Sequence, residues 1–205
     1  SILHDEVARC AQLFPDRVAV VDPHTGNSLT YAELEAEATG IAMWLSYYGC
    51  ARRGPTRTAS AEKVAKGSCW PIAVLLPQDS FYASLNLGIL EAGGALMPFY
   101  DNYNDSLVAQ LLQTTQCAVA FTNAEFSSRF PENNQQVISD TTIPPGATAV
   151  AGSETAGLQK LFVVDAANTA VRSTLREWGF DAAKLKMWRQ VRPVSVPEDC
   201  AMLSF

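Results

Sequence analysis

Four apolar runs of strand length, alternating with segments of helix length, constrain this chain more than any other feature. Pro-Ile-Ala-Val-Leu-Leu-Pro at 71–77 carries no polar side chain and is bounded by prolines, which suits a strand buried on both faces. Asp79 or Ser80 then supplies a cap for a helix over 81–92, a segment apolar nearly all round and so expected to lie sandwiched between other elements. Gly93-Gly94 ends that helix, and Ala-Leu-Met-Pro-Phe-Tyr at 95–100 is the next strand. The unit repeats: Asn104 or Asp105 caps a helix carrying Leu107, Val108, Leu111 and Leu112, followed by a strand at 117–122. Leu-Phe-Val-Val-Asp at 161–165 forms a fourth strand. Such repetition predicts an α/β fold with a mainly parallel sheet flanked by helices. Beyond it, 166–178 reads as a helix stopped by Gly179, and 182–189 as a further short helix.

Ahead of this pattern, the apolar runs 18–21 and 29–31 flank the turn-rich Asp22-Pro23-His24-Thr25-Gly26-Asn27, a hairpin signal. Thr30 followed three residues later by Glu33 is a capping box. Leu34, Ala38, Ile41, Ala42 and Leu45 share one face of the helix that follows, while Glu33 and Glu37 share another. The helix is therefore expected to pack by its aliphatic face, carry its carboxylates on a polar face and end near Gly49. Residues 50–69 lose all periodicity and read as a loop insertion. The stretch 123–160 is weakly patterned and loop-rich.

The formal net charge of −6 excludes the broad basic surface expected of a nucleic-acid binder or of a protein that lies on anionic membranes. Arg52, Arg53, Arg57, Lys63 and Lys66 cluster locally, without interleaved aromatics, as in a solvated loop. The most apolar region, 85–99, is interrupted by Glu91 and the glycine pair, so no transmembrane segment and no signal peptide are read. Five cysteines without a C-x-x-C pair form neither a disulfide framework nor a zinc knuckle, which points to a reducing, intracellular and by default cytoplasmic setting.

Candidate chemistry is sparse. His4 and His24 are the only histidines, neither has a second ligand nearby in sequence, and both read as solvated or turn residues. Glu33, Glu35 and Glu37 could be taken for paired carboxylates, but capping and a polar helix face account for Glu33 and Glu37. Gly93-Gly94 lacks G-x-G-x-x-G spacing and precedes a strand, so it is no phosphate cradle. Asp165 stands after a buried strand, where a helix cap explains it as well as a ligand would. Cys200 reads as an inert buried thiol. No catalytic, cofactor-binding or metal-binding residue is nominated.

Taken in order, Phe-Pro-Asp-Arg-Val-Ala-Val-Val-Asp (14–22), Leu-Thr-Tyr-Ala-Glu-Leu (29–34), the 72–100 segment with Glu91-Ala92-Gly93-Gly94-Ala95, and Pro-Glu-Asp-Cys-Ala-Met-Leu-Ser-Phe (197–205) resemble the N-terminal part of the adenylate-forming, AMP-binding superfamily. That superfamily includes acyl-CoA synthetases, luciferases and peptide-synthetase adenylation domains. The resemblance runs through residues 3–122, fades over 123–190 and returns at 197–205. It implies a partial adenylation domain over 1–205, the incomplete N-terminal portion of a larger catalytic domain, ending just ahead of the Thr/Ser/Gly-rich loop that embraces ATP phosphates. The larger protein would use ATP and magnesium to turn a carboxylic acid into an acyl-adenylate with release of pyrophosphate. Often it would then pass the acyl group to coenzyme A or a carrier-protein thiol. The present segment would be a scaffold, inactive alone and binding neither ATP nor magnesium. The sequence departs from the family at 50–69, where a short link is usual, and at Phe-Tyr-Asp-Asn-Tyr-Asn-Asp (99–105). Residues 107–123 also resemble fungal adenylate-forming reductases. A non-catalytic binding module built on the same scaffold, or an unrelated nucleotide-using α/β enzyme, stays open at this point.

Overall fold

The computed structural model describes residues 3–23, 25–51, 71–131, 136–139, 158–165 and 169–192. Helix α1 (Leu3–Leu13) leads into an antiparallel hairpin, β1 (Val18–Val21) and β2 (Ser28–Thr30), and then α2 (Tyr31–Tyr47). The α/β unit follows as β3 (Pro71–Leu75), α3 (Ser80–Glu91), β4 (Ala95–Pro98), α4 (Asp105–Thr115) and β5 (Val119–Thr122). Edge strand β6 (Gln136–Ser139), β7 (Lys160–Val163), α5 (Thr169–Phe180) and α6 (Ala182–Val191) complete it.

All five strands β3 to β7 run parallel, in the order β4-β3-β5-β7-β6. Because side chains alternate across a pleated strand, each strand feeds two cores. Ile72, Val74, Val119, Phe121, Phe162 and Val164 join the core beneath α2, α3, α5 and α6. Ala73, Leu75, Met97, Ala120 and Leu161 point the other way, onto Val108, Leu111 and Leu112 of α4 and onto Phe130. The absence of polar positions in β3 thus follows from its place in the middle layer. In the larger core Trp44 meets Phe162 edge-on at 4.8 Å, and Phe162 stacks on Phe121 at 4.6 Å. Each such pair contributes about 0.5–1.5 kcal/mol beyond its burial.

Helix ends follow the local sequence closely. The Thr30/Glu33 capping box forms. Asp79, not Ser80, caps α3 by accepting from the Tyr82 N–H at 3.0 Å, since Asp79 has extended backbone and Ser80 is already helical. Asn104, not Asp105, caps α4 through the Leu107 N–H at 2.8 Å, leaving Asp105 in the first turn, where the helix dipole favours an anion. At the far end of α3, Gly93 takes φ +76° and the Gly94 N–H reaches the Ile89 carbonyl at 2.9 Å, a Schellman closure.

Three expectations are revised. First, α2 does not pack by one face: Ala36, Glu37, Thr39, Gly40, Met43 and Trp44 are buried together with the aliphatic positions, because α3 and α5 both lie against it. Second, Gly179 does not stop α5, which continues to Phe180; Asp181 then caps α6 through the Ala183 and Lys184 N–H groups. Gly179 marks a close approach, since a Cβ there would lie 2.0 Å from the Ala36 carbonyl oxygen, and one at Gly40 would lie 2.0 Å from that of Leu175. Third, the loop-rich stretch contains β6, where Ile138 is buried and Val137 is exposed. That half-apolar edge carries a weaker periodic signal than an inner strand. Residues 52–69 of the insertion and 197–205 lie outside the described residues, as does His24.

In an exposed helix interior, Gly→Ala adds up to about 1 kcal/mol of stability. Here the sign should reverse. Gly179→Ala is expected to lose about 1–3 kcal/mol through overpacking, read as a lower urea midpoint.

Candidate functional site

In open α/β sheets, ligands collect at the carboxyl ends of strands where the chain reverses its direction of winding. Here that point lies between β3 and β5, because β4 is laid on one side of β3 and β5, β7 and β6 on the other. The polar groups at this end build turns. Asn123 Oδ1 accepts from the Phe126 N–H at 3.0 Å, and buried Thr122 donates to the Asn123 carbonyl at 3.4 Å. The Arg129 guanidinium donates to the backbone carbonyls of Asp101 and Tyr103 while lying over the Phe126 ring at 4.9 Å. Arg129 thereby ties the 99–104 segment to the short helical turn Ser127–Arg129. Tyr100 is exposed, Tyr103 meets it edge-on, and Asp165 is exposed just beyond β7.

A second constellation lies within the helical layer. Glu37 is fully buried, and Arg172 of α5 grips it with a fork: Nε at 3.1 and 3.2 Å from its two carboxylate oxygens and Nη2 at 2.9 Å. The remaining Arg172 nitrogen donates to the Ser80 hydroxyl at 3.0 Å, so one side chain links α2, α3 and α5. Arg176 approaches both Glu37 at 3.4 Å and Glu33 at 3.5 Å. Glu33 and Glu37 are therefore brought together, but on arginines and not on an open cleft. Glu37 does not lie on the solvated polar face expected of it. An aliphatic partner could not replace the arginine without leaving a buried charge unpaired.

The third constellation surrounds Glu91, the only charged residue on α3. It accepts from the indole N–H of Trp188 at 2.7 Å and from the Thr39 hydroxyl at 2.9 Å, with Arg192 at 3.7 Å. Beside it opens a cleft of about 30 Å³ lined by His4, Asp5, Glu35 and Arg192 among others, far below the ~300–1,000 Å³ of ordinary ligand pockets. His4 is not a turn residue in solvent: it sits on α1 with its side chain 12% exposed and its Nδ1 buried without a hydrogen-bond partner. Burial, the largest cause, lowers its pKa, opposed by the Asp5 and Glu91 carboxylates and reinforced by Arg192. Burial likewise raises the Glu35 carboxyl, with Glu91 adding to the rise and Arg189 and Arg192 opposing it.

Thr39, Arg172, Arg176, Trp188 and Arg192 are not legible as partners in the sequence, because each meets its carboxylate across separate helices. The one available signal is Glu91 itself, a lone carboxylate in an otherwise apolar segment. Among the described residues no group of three His, Cys, Asp or Glu side chains is placed to hold a metal ion. Arg172 and Arg176 are committed to carboxylates.

Breaking the buried pair should be costly. Arg172→Met is expected to lose about 3–5 kcal/mol, with much of the loss recovered when Glu37→Met is added, in a urea double-mutant cycle. Glu35 should reveal itself through pH. A carboxyl raised by folding stabilises below its unfolded pKa, and that contribution is lost as pH rises through the folded value. Glu35→Gln should therefore unfold at higher urea than the parent at neutral pH and at a similar midpoint near about pH 4.

The AMP-binding enzyme family matches residues 7–205. A linear gramicidin synthase of Brevibacillus parabrevis is 31% identical over 130 residues, covering 63% of this chain and 1% of that protein. Apicidin F synthase of Gibberella fujikuroi is 35% identical over 115 residues, covering 56% of this chain and 2% of that protein. Among solved structures, VinN in complex with 3-methylaspartate aligns with a TM-score of 0.63 at 18% identity, covering 99% of this chain and 43% of that one. The peptide synthetase FmoA3 bound to α-methyl-L-serine-AMP aligns with a TM-score of 0.57 at 22% identity, covering 98% of this chain and 16% of that one. The chain thus spans less than half the length of each of these proteins, and only 1–2% of the two curated relatives. The expected fold class, with its parallel sheet between helices, is the one these neighbours share. No described helix is long and apolar enough to cross a membrane. With the family matched from residue 7 to the last residue, this chain belongs to the AMP-binding enzyme family.

Proposed function

We propose that this chain is scaffold for an enzyme that activates a carboxylic acid with ATP, forming an acyl-adenylate and pyrophosphate, and then hands the acyl group to a carrier-protein or coenzyme A thiol. The family match over residues 7–205 carries this reading. A peptide-synthetase type of adenylation is favoured over the other branches. Curated relatives include gramicidin, plipastatin and apicidin synthases, and the FmoA3 neighbour was solved with an amino-acyl AMP. ATP and magnesium belong to this proposal as co-substrate and cofactor of the larger enzyme.

Within that reaction, the part assigned to the described residues is mechanical. Glu37 is held by Arg172 and Arg176, and Glu91 by Trp188 and Thr39. Charges used to lock helices onto one another are not available to polarise a carboxylate or a phosphate. The reading is that these residues fix the sheet and its carboxyl-end loops, against which a nucleotide-binding segment would be set. A rigid support of this kind favours catalysis by limiting misplacement of reacting groups.

The purified 205-residue chain should show only background exchange of labelled pyrophosphate into ATP, across a panel of amino and other carboxylic acids. Robust acid-dependent exchange by this chain alone would overturn the scaffold assignment.

A further inference from the structure

Helix α1 is held more loosely than the helices it touches. None of its described residues is fully buried, and it rests on α2 and α3 over the small cleft lined by His4, Asp5, Glu35, Glu91 and Arg192. His4 is the polar group that α1 inserts most deeply there. Its Nδ1 is sealed from solvent and meets no partner. Its Nε2 lies 3.7 Å from Asp5, a residue of the same helix that moves wherever His4 moves.

We propose that His4 is a proton-operated latch: its neutral ring keeps α1 docked, and protonation of the ring releases α1 from the α2/α3 surface.

The physical reason lies in what an imidazolium requires. A neutral ring needs one donor and one acceptor satisfied, whereas the cation presents two N–H donors and carries a charge into a desolvated place. In the docked state the Nδ1 side has no acceptor. Asp5 travels with His4 on the same helix, so its attraction for an imidazolium is not specific to the docked state. Of the carboxylates facing from other elements, Glu91 is already engaged. Glu91 on α3 accepts from Trp188 and Thr39 and has Arg192 at 3.7 Å, and Glu35 on α2 sits among Glu91, Arg189 and Arg192. Arg192, which directly follows α6, opposes a further cation; the Glu91 carboxylate favours one, but burial of the ring outweighs both. Released into water, the ring gains solvation on both nitrogens. A helix without one buried residue has little packing energy to set against that gain.

The sign follows from linkage. A histidine whose pKa is lowered by docking stabilises the docked state fully above the ordinary imidazole value of about 6.5 and progressively less as pH falls below it. Glu35 acts in the opposite sense, favouring the docked state as pH falls. The net acid response of α1 is therefore the His4 contribution less that of Glu35, and removing one histidine separates them. This device is independent of the catalytic reading above and would operate in the isolated chain.

Hydrogen exchange by mass spectrometry on the full 205-residue chain tests it, with rates corrected for the intrinsic pH dependence. Between about pH 7.5 and 5.5 the amides of residues 3–13 should lose protection about threefold or more relative to those of β3 and β5. In His4→Gln the loss should vanish or reverse, because the imidazole is gone while the Glu35 carboxyl, raised by burial, still favours docking in acid. A flat or acid-strengthened response in the parent, or an unchanged acid response in His4→Gln, would overturn the latch. Should the variant fold poorly, the imidazole resonance of His4 in the parent decides: titration below about 6.5 is expected, and titration at or above it sinks the proposal.

Discussion

The contact of α2 with α5 at Gly40 and Gly179 sets the spacing on which the helical layer depends. Each glycine faces a carbonyl oxygen of the other helix at a distance no side chain could share. Bringing two backbones this close places Glu37 within reach of the Arg172 fork and of Arg176. The glycines and the ion pair are thus one device. The first permits the approach, and the second makes it specific, because a shifted helix would leave a carboxylate buried without a partner. On the other side of α2, Gly88 of α3 faces Ala38 and Ile41 in the same manner. A helix gripped from two sides by backbone contacts is a rigid base for the sheet beneath it.

That base decides what the chain can contribute to chemistry. The sheet presents its carboxyl ends away from the hydrophobic interior, with turns built by Asp79, Asn123 and Arg129. Glu37, Glu91 and the arginines beside them lie among the helices and act as fasteners. A buried carboxylate is commonly taken as a sign of catalysis, and here its fully satisfied partners argue for packing instead. The chain belongs to the AMP-binding enzyme family, and a scaffold role for it there is the proposal made above.

Where the sequence is legible, the determining interactions are local. The Thr30/Glu33 box, the Asp79 and Asn104 caps and the two-sided burial of β3 each depend on residues within about one turn or one strand. Where it misleads, the partners lie far along the chain. Glu37 reads as part of a polar face because its charge is visible, while Arg172, 135 positions later, is not legible as its partner. Gly179 reads as a helix stop because glycine is a poor helix former, whereas its lack of a side chain serves the meeting with Ala36. His4 reads as a solvated residue because nothing near it in sequence announces the Glu35, Glu91 and Arg192 surface that covers it. Strand β6 escapes notice because an edge strand with one buried position has almost no periodic signal.

The ordered motifs carried a family resemblance that the match over residues 7–205 bears out, and hydrophobic period with local capping established the α/β class, the alternation of strand and helix and the capped starts of α2, α3 and α4. Those properties need only backbone groups satisfied within a few residues and an apolar face repeated at a fixed interval. The strand order, the burial of Glu37 and Glu91 and the cleft beneath α1 emerged only once the chain was folded. Each depends on distances between residues remote in the sequence. The energy of a charge is set by whatever lies within a few ångströms of it, and no local pattern records that neighbourhood.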